Sequence, residues 1–276
     1  METAKLFVFT KDEEYLMKYW IPYHGNLFGF ENLYILDHGS NKKTQRVFDE
    51  YRDKGINVVD CSDIPFKHKY KYLNREMRLQ QKTAKFLIPI DSDEFIAYDQ
   101  RKKDSFTCDV ETINKYLRNF KVSDNKCKFG QMLAIPTEKS YKDSLSEITK
   151  FASFISGTSG KSKSFFPAEY FISTDQGNHS GKVSGTNGRV LTKLVLLHYE
   201  IRGLDHAKEK AYRGGEAYGF MNSKKQPPLG RTWWSKLQIF KNGDPDKWYE
   251  DRTSRMLQNF TIDCNNFSEF MKTLRE

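Results

Sequence analysis

A chain of 276 residues with 38% hydrophobic and 14% aromatic content has the apolar material of a globular protein, which excludes disorder along its whole length. Its 45 Lys+Arg against 36 Asp+Glu leave a net charge of +9, which favours polyanionic partners: nucleic acid, acidic lipid or a nucleotide diphosphate. No apolar run approaches the ~18 residues of a membrane span, and Cys61, Cys108, Cys127 and Cys264 are too scattered for a zinc site or a disulfide framework.

In chain order, Lys5 to Thr10 reads as a buried strand, with no signal-length apolar segment before it; the expected setting is the cytoplasm, with peripheral membrane contact left open. Tyr15, Leu16, Tyr19, Trp20, Tyr23 and Leu27 then recur at helical spacing, with Pro22 expected to kink or divide the helix. Asn32 to Asp37 is a second strand, followed by a helix over roughly 42–54, closed by Gly55 as a C-cap. Ile56 to Asp60 is a third strand, and a helix over roughly 72–85 leads to the apolar run Phe86 to Ile90. Strands alternating with helices of this length predict an α/β fold with a parallel sheet, whose ligands bind beyond the C-terminal strand ends.

Those ends carry Thr10-Lys11-Asp12-Glu13, Asp37-His38-Gly39-Ser40, Asp60-Cys61-Ser62 and Asp91-Ser92-Asp93. Each alone is compatible with helix capping, whereas four in succession point to a nucleotide site. Asp91 and Asp93, spaced i and i+2 where an apolar strand meets solvent, can share a divalent cation, and oxygen ligands suit Mg²⁺ or Mn²⁺. Beyond residue 100 a helix over 111–121, a strand over 129–135 and an apolar run from Leu194 to Tyr199 are expected, then a helix-like segment from Leu204 to Tyr218. Gly157 to Ser162 lacks the spacing of a phosphate loop and reads as a loop. The tail carries Trp233-Trp234, Trp248-Tyr249 and an amphipathic helix near 267–275.

With Tyr15-Leu16, Trp20 to His24 and Gly29-Phe30, the segment Thr10-Lys11-Asp12-Glu13 resembles the opening of nucleotide-sugar glycosyltransferases of the GT-A fold, in particular the family 2 and family 92-like group. Ile35 to Ser40, Asp91-Ser92-Asp93-Glu94-Phe95 and Leu197-His198-Tyr199, followed by Arg202, Lys210, Arg213 and Gly214, are similar to later motifs of that group, in order over about residues 5–215. The resemblance implies a single domain: a nucleotide-binding half over 1–100, an acceptor and metal-histidine half over 101–215, and a helical, aromatic tail over 216–276. It also implies an Mn²⁺ or Mg²⁺ ion held by Asp93 and His198, with Asp91 at the ion or the ribose. Ser92 would contact the donor, and Lys210 and Arg213 would close over its diphosphate.

The activity so implied is sugar transfer from a nucleotide diphosphate sugar, UDP-linked by expectation, to a hydroxyl of a glycan, with inversion and no nucleic-acid partner. Asp37 and Asp60 can accept hydrogen bonds from the nucleoside, Thr10, Lys11 and Asp12 line the same pocket, and Lys71, Arg75 and Arg78, ahead of the metal strand, either approach phosphates or are surface charge. Inversion needs a general base, for which Asp175 and Glu138 are the candidates. A sugar-nucleotide nucleotidyltransferase and a non-catalytic nucleotide- or carbohydrate-binding module are the competing readings; the first needs a Gly-rich loop after the first strand, and none is present.

Overall fold

The computed structural model describes residues 2–100, 106–134, 153–156, 162–186, 188–200, 202–228, 230–257 and 261–263. The N-terminal part runs β1 (Glu2–Thr10), α1 (Glu14–Phe28), β2 (Leu33–Asp37), α2 (Lys42–Arg52), β3 (Asn57–Asp60), α3 (Lys69–Leu79), β4 (Ala84–Pro89) and β5 (Glu94–Asp99). Next come β6 (Phe106–Thr107), α4 (Val110–Asn119), β7 (Lys126–Lys128), β8 (Gln131–Ala134), β9 (Ser153–Ser156) and β10 (Ser164–Pro167). The hairpin β11 (Phe171–Thr174) and β12 (Gly181–Val183) follows, then β13 (Arg189–Leu191) and β14 (Leu194–His198). The chain continues through α5 (Leu204–Ala217), α6 (Arg231–Asn242), α7 (Pro245–Leu257) and β15 (Thr261–Asp263).

A seven-stranded sheet has the order β13-β7-β10-β4-β1-β2-β3, parallel from β4 through β3, with β10 antiparallel to both of its neighbours. Successive β1 side chains face opposite ways. Leu6 and Val8 pack into the core formed with α1, α2 and α4, while Phe7 packs with Leu73 and Met77 of α3. Helices therefore cover both faces, the α/β architecture implied by the GT-A resemblance. A second sheet, ordered β15-β9-β8-β14-β5-β6, is reached where the chain leaves β4 and enters β5. The tripeptide Asp91-Ser92-Asp93 is that crossing.

Helix α1 is buried nearly all round, as expected for a helix enclosed by protein on several sides. The Tyr23 hydroxyl donates to Ile96 O at 2.6 Å, tying α1 to β5 in the second sheet. Pro22 neither divides nor ends the helix, which runs unbroken from Glu14 to Phe28. Asn41 caps α2 by accepting from Thr44 N–H at 3.0 Å, and Gly55, at φ 96°, takes the left-handed turn after it.

The helix expected over 72–85 lies at Lys69–Leu79 instead, because a turn in which the Thr83 hydroxyl donates to Gln80 O lets Ala84 begin β4. The strand expected over 129–135 is β8, Gln131–Ala134, and a separate strand, β7 (Lys126–Lys128), precedes it across Gly130. A Cβ there would stand 2.5 Å from Thr192 O, so the backbones pass too closely for any other residue. The expected helix near 267–275 and most of the Gly157 to Ser162 run lie outside the described residues. Cys61, Cys108 and Cys127 are buried free thiols, and among the described residues no helix is long and apolar enough to cross a membrane.

Candidate functional site

The site forms where the two sheets meet. Strand β14 pairs antiparallel with β5 in a register that sets His198 opposite Glu94, and Tyr199 N–H donates to Asp93 O at 2.8 Å. This pairing closes a sequence separation of more than a hundred residues and brings Asp93, Glu94 and His198 together. Ligand atoms from all three lie within 4.8 Å of one another. Four cations surround them. Lys210 of α5 reaches Asp93 Oδ2 at 2.5 Å, with His198 Nε2 3.5 Å from the same oxygen. Lys163, just before β10, donates to Asp91 and lies 3.4 Å from Glu94 Oε1. Lys69, at the start of α3, faces the same cleft, as does Arg213, which donates to Asp12 O at 3.1 Å and to Glu13 Oε1 at 2.7 Å.

Burial by itself would push the Asp93 carboxyl up, but Lys210 and His198 hold it well below the ordinary range. Burial likewise opposes the His198 imidazolium, and the Asp93 carboxylate outweighs it, so that pKa is raised. Asp91 is lowered because Lys163 and Lys69 outweigh its burial. Glu94 behaves differently: burial drives it up to about 7. Its Oε2 accepts from Asp91 N–H at 2.8 Å, while its buried Oε1 has no hydrogen-bond partner. A carboxylate oxygen with no hydrogen bond and only the Lys163 ammonium near it, beside a second carboxylate and an imidazole, is a donor set that fits Mn²⁺ or Mg²⁺.

The cleft around these groups has a volume of about 830 Å³. One wall is aromatic, with Phe9, His38, Phe66 and Tyr218 in mutual ring contact. Trp233 and Lys236 of α6 line another part, the lysine lying 5.5 Å from the indole ring. Glu200 anchors this lobe, accepting from Lys236 at 3.2 Å and Arg252 at 2.6 Å.

Residues 7–232 match the family model described as Glycosyltransferase family 92. The chain belongs to glycosyltransferase family 92. No curated protein matches this family 92 chain in sequence. Among solved structures, it is similar to UDP-bound TarS 1-349 of S. aureus, at 12% identity and a TM-score of 0.43, over 87% of this chain and 71% of that one. It is also similar to the mannosyltransferase PcManGT of Pyrobaculum calidifontis, solved with GDP-Man and Mn²⁺, at 12% identity and TM-score 0.43 over 93% and 74% of the two chains. A third is glucosyl-3-phosphoglycerate synthase of Mycobacterium tuberculosis with Mn²⁺ and UDP, at 12% identity and TM-score 0.38 over 80% and 82%.

In this family 92 chain, Thr10, Lys11, Asp12, Asp91, Ser92, Asp93, His198, Lys210 and Arg213 all line the one cleft. Asp12 holds a positive φ of 55° and its carboxylate accepts from Asn41 N–H at 2.7 Å, which stitches the loop after β1 to the loop after β2. Asp37 and Asp60 line a smaller neighbouring pocket of about 310 Å³. Asp37 accepts from Gln45 Nε2 at 2.5 Å and Asp60 from Ser62 N–H at 2.9 Å. Asp175 is exposed and does not line the cleft; its carboxylate accepts from the N–H groups of Gly177 and His179 in its own turn. Glu138 lies outside the described residues. Lys71, Arg75 and Arg78 face solvent on α3 and line no part of the cleft.

Nothing in the sequence pattern marks Lys163, Lys69 or Glu200 as cleft residues; the two lysines are two among 45 basic residues.

Proposed function

We propose that this family 92 member transfers a sugar from a nucleotide diphosphate sugar, with UDP as the nucleotide, to a hydroxyl of a glycan acceptor, in a metal-dependent, inverting reaction. The observation that carries the reading is the Asp93, Glu94 and His198 cluster at the centre of a cleft ringed by Lys69, Lys163, Lys210 and Arg213. Asp93, Glu94 and His198 would hold Mn²⁺ or Mg²⁺, and Asp91 stands beside them, bound by Lys163. A divalent ion there supplies Lewis-acid stabilisation of the departing diphosphate.

The remaining work falls to the chain's own groups. Lys210 and Arg213, on one helix one turn apart, present two fixed positive charges to the phosphates, where charge accumulates as the glycosidic bond breaks. The aromatic wall of Phe9, Phe66 and Tyr218 gives the nucleobase an apolar face to stack on. Trp233 offers the same to a sugar ring.

Inversion needs a base that takes the acceptor proton. Most carboxylates of the cleft are engaged: Asp91, Asp93 and Glu94 in the central cluster, Glu13 by Arg213, Glu200 by Lys236 and Arg252. Glu216 of α5 lines the cleft, is exposed, and has no ion pair among the described residues. We assign the base to Glu216 in place of Asp175, whose carboxylate is held in its own turn.

UDP is expected to raise the melting temperature only with Mn²⁺ or Mg²⁺ present, and Asp93→Ala to abolish that shift. A panel of nucleotide sugars should show metal-dependent donor hydrolysis, and Glu216→Gln should lose transfer while keeping UDP binding. No turnover of any donor together with no UDP binding would sink the proposal.

A further inference from the structure

The outer face of α3 carries Lys71, Arg75, Arg78 and, just past its end, Lys82, all exposed. The intervals of four and three residues keep Lys71, Arg75 and Arg78 in one stripe along the helix, and Lys82 follows in the turn before β4. None of these residues lines the cleft. The carboxylate on the same helix, Glu76, is buried and pairs with Arg75 at 2.9 Å, which offsets that one charge and leaves Lys71, Arg78 and Lys82. Exposed Glu169, on the turn whose Ala168 O accepts from Gln81, leaves the surface with a clear positive excess.

Two large aliphatic side chains stand in this cationic field. Leu79, the last residue of α3, is 65% exposed, and Ile172 on β11 is 43% exposed. They belong to one surface, because α3 runs along β11: Asn74 Nδ2 donates to Thr174 O at 3.1 Å and Arg78 Nη1 to Ile172 O at 3.1 Å. Lys182, opposite Ser173 across the hairpin, adds another exposed cation. Scattered exposed leucines are ordinary, but aliphatic side chains projecting from a basic helix face match an anionic bilayer in particular. Lysine and arginine approach the headgroups while the aliphatic tips enter the acyl boundary. Nucleic acid would use the cations and have no use for the aliphatic pair.

We infer that the α3 face, with Ile172 and Lys182 of the β11–β12 hairpin, is a docking surface for an anionic phospholipid membrane. The inference stands apart from the glycosyl-transfer reading. Lys69, the first residue of α3, lines the cleft, so the docked helix also borders the cleft.

The test is flotation of the full chain with phosphatidylcholine vesicles, with and without about one-third phosphatidylserine. The wild type should float with the anionic vesicles alone and be released by high salt. Lys71→Glu/Lys82→Glu, both at exposed positions, should weaken binding on the order of tenfold or more, since each cation near such a surface counts several-fold. Leu79→Ser should weaken it a further few-fold while leaving the salt dependence unchanged. Circular dichroism and melting temperature confirm that both variants fold. Absence of binding to the anionic vesicles, or equal binding by wild type and the charge variant, overturns the proposal. Displacement by duplex DNA with no effect of Leu79→Ser overturns it too, assigning a general polyanion surface instead.

Discussion

His24 is wholly buried in α1, with Nδ1 3.0 Å from Trp20 O and Nε2 3.4 Å from Ile96 N. The amide must donate to Nε2, so the neutral ring carries its proton on Nδ1 and gives it to the carbonyl. A second proton would have to displace the Ile96 contact inside a core of Trp20, Tyr23 and Phe95. Burial accordingly drops this pKa to about 3. An unfolded histidine titrates near 6.5, so below about that pH the unfolded chain binds a proton that the folded chain refuses, and stability falls with falling pH. At about 1.4 kcal/mol per pH unit, the loss from this one group between about pH 7 and about pH 5 is roughly 2 kcal/mol. His206, which burial lowers to about 2, acts in the same direction, so the effect of His24 must be isolated by difference. Urea unfolding of wild type and His24→Gln across this range does so: the variant should lose roughly 2 kcal/mol less on acidification, even if it is weaker at neutral pH. Parallel pH profiles for the two proteins would refute the argument.

Glu200→Gln removes the anion that Lys236 and Arg252 share, and should cost about 1–3 kcal/mol, kept low because the carboxylate is partly exposed. The pairing holds Glu200 at about 2, so its contribution is present above the unfolded carboxyl pKa and is lost as pH falls through 2; the variant's thermal melts should lack that acid sensitivity. Gly214→Ala places a methyl 2.2 Å from Trp233 Cε3 and should destabilise the α5–α6 contact by about 1–3 kcal/mol, seen as a lower melting temperature and altered tryptophan fluorescence. Lys210→Met leaves Asp93 with His198 alone and removes a phosphate-facing charge; UDP affinity by calorimetry should drop on the order of 10- to 100-fold with the fold intact.

The N-terminal half was legible because its information is local. Leu6 to Phe9, Asn32 to Asp37 and Ile56 to Asp60 each announce a strand by an apolar run with a polar end, and a parallel sheet then follows from the helices between them. Boundaries were less legible where a side-chain cap decides: nothing in the period of α3 reveals that the turn of Gln80 and Thr83 stops it early. Asp93 and His198 could be named as a pair only through the resemblance, since their meeting depends on β14 pairing with β5 across a long separation. Glu94 reads as an ordinary first residue of a strand until that register puts it opposite His198. Lys163 was hidden for a related reason: its role is set by β10 lying antiparallel to β4, a connection with no local signature.

The crossing at Asp91-Ser92-Asp93 bears on which changes of length the chain can absorb. Surface connections usually tolerate insertions, but this one fixes the phase of the strand after it. One extra residue here must either bulge the turn, breaking the bonds from Glu94 N–H to Asp91 O and from Tyr199 N–H to Asp93 O, or slip β5 along β14 and send Glu94 away from His198; either outcome reaches the cleft while leaving β1 to β4 paired as before.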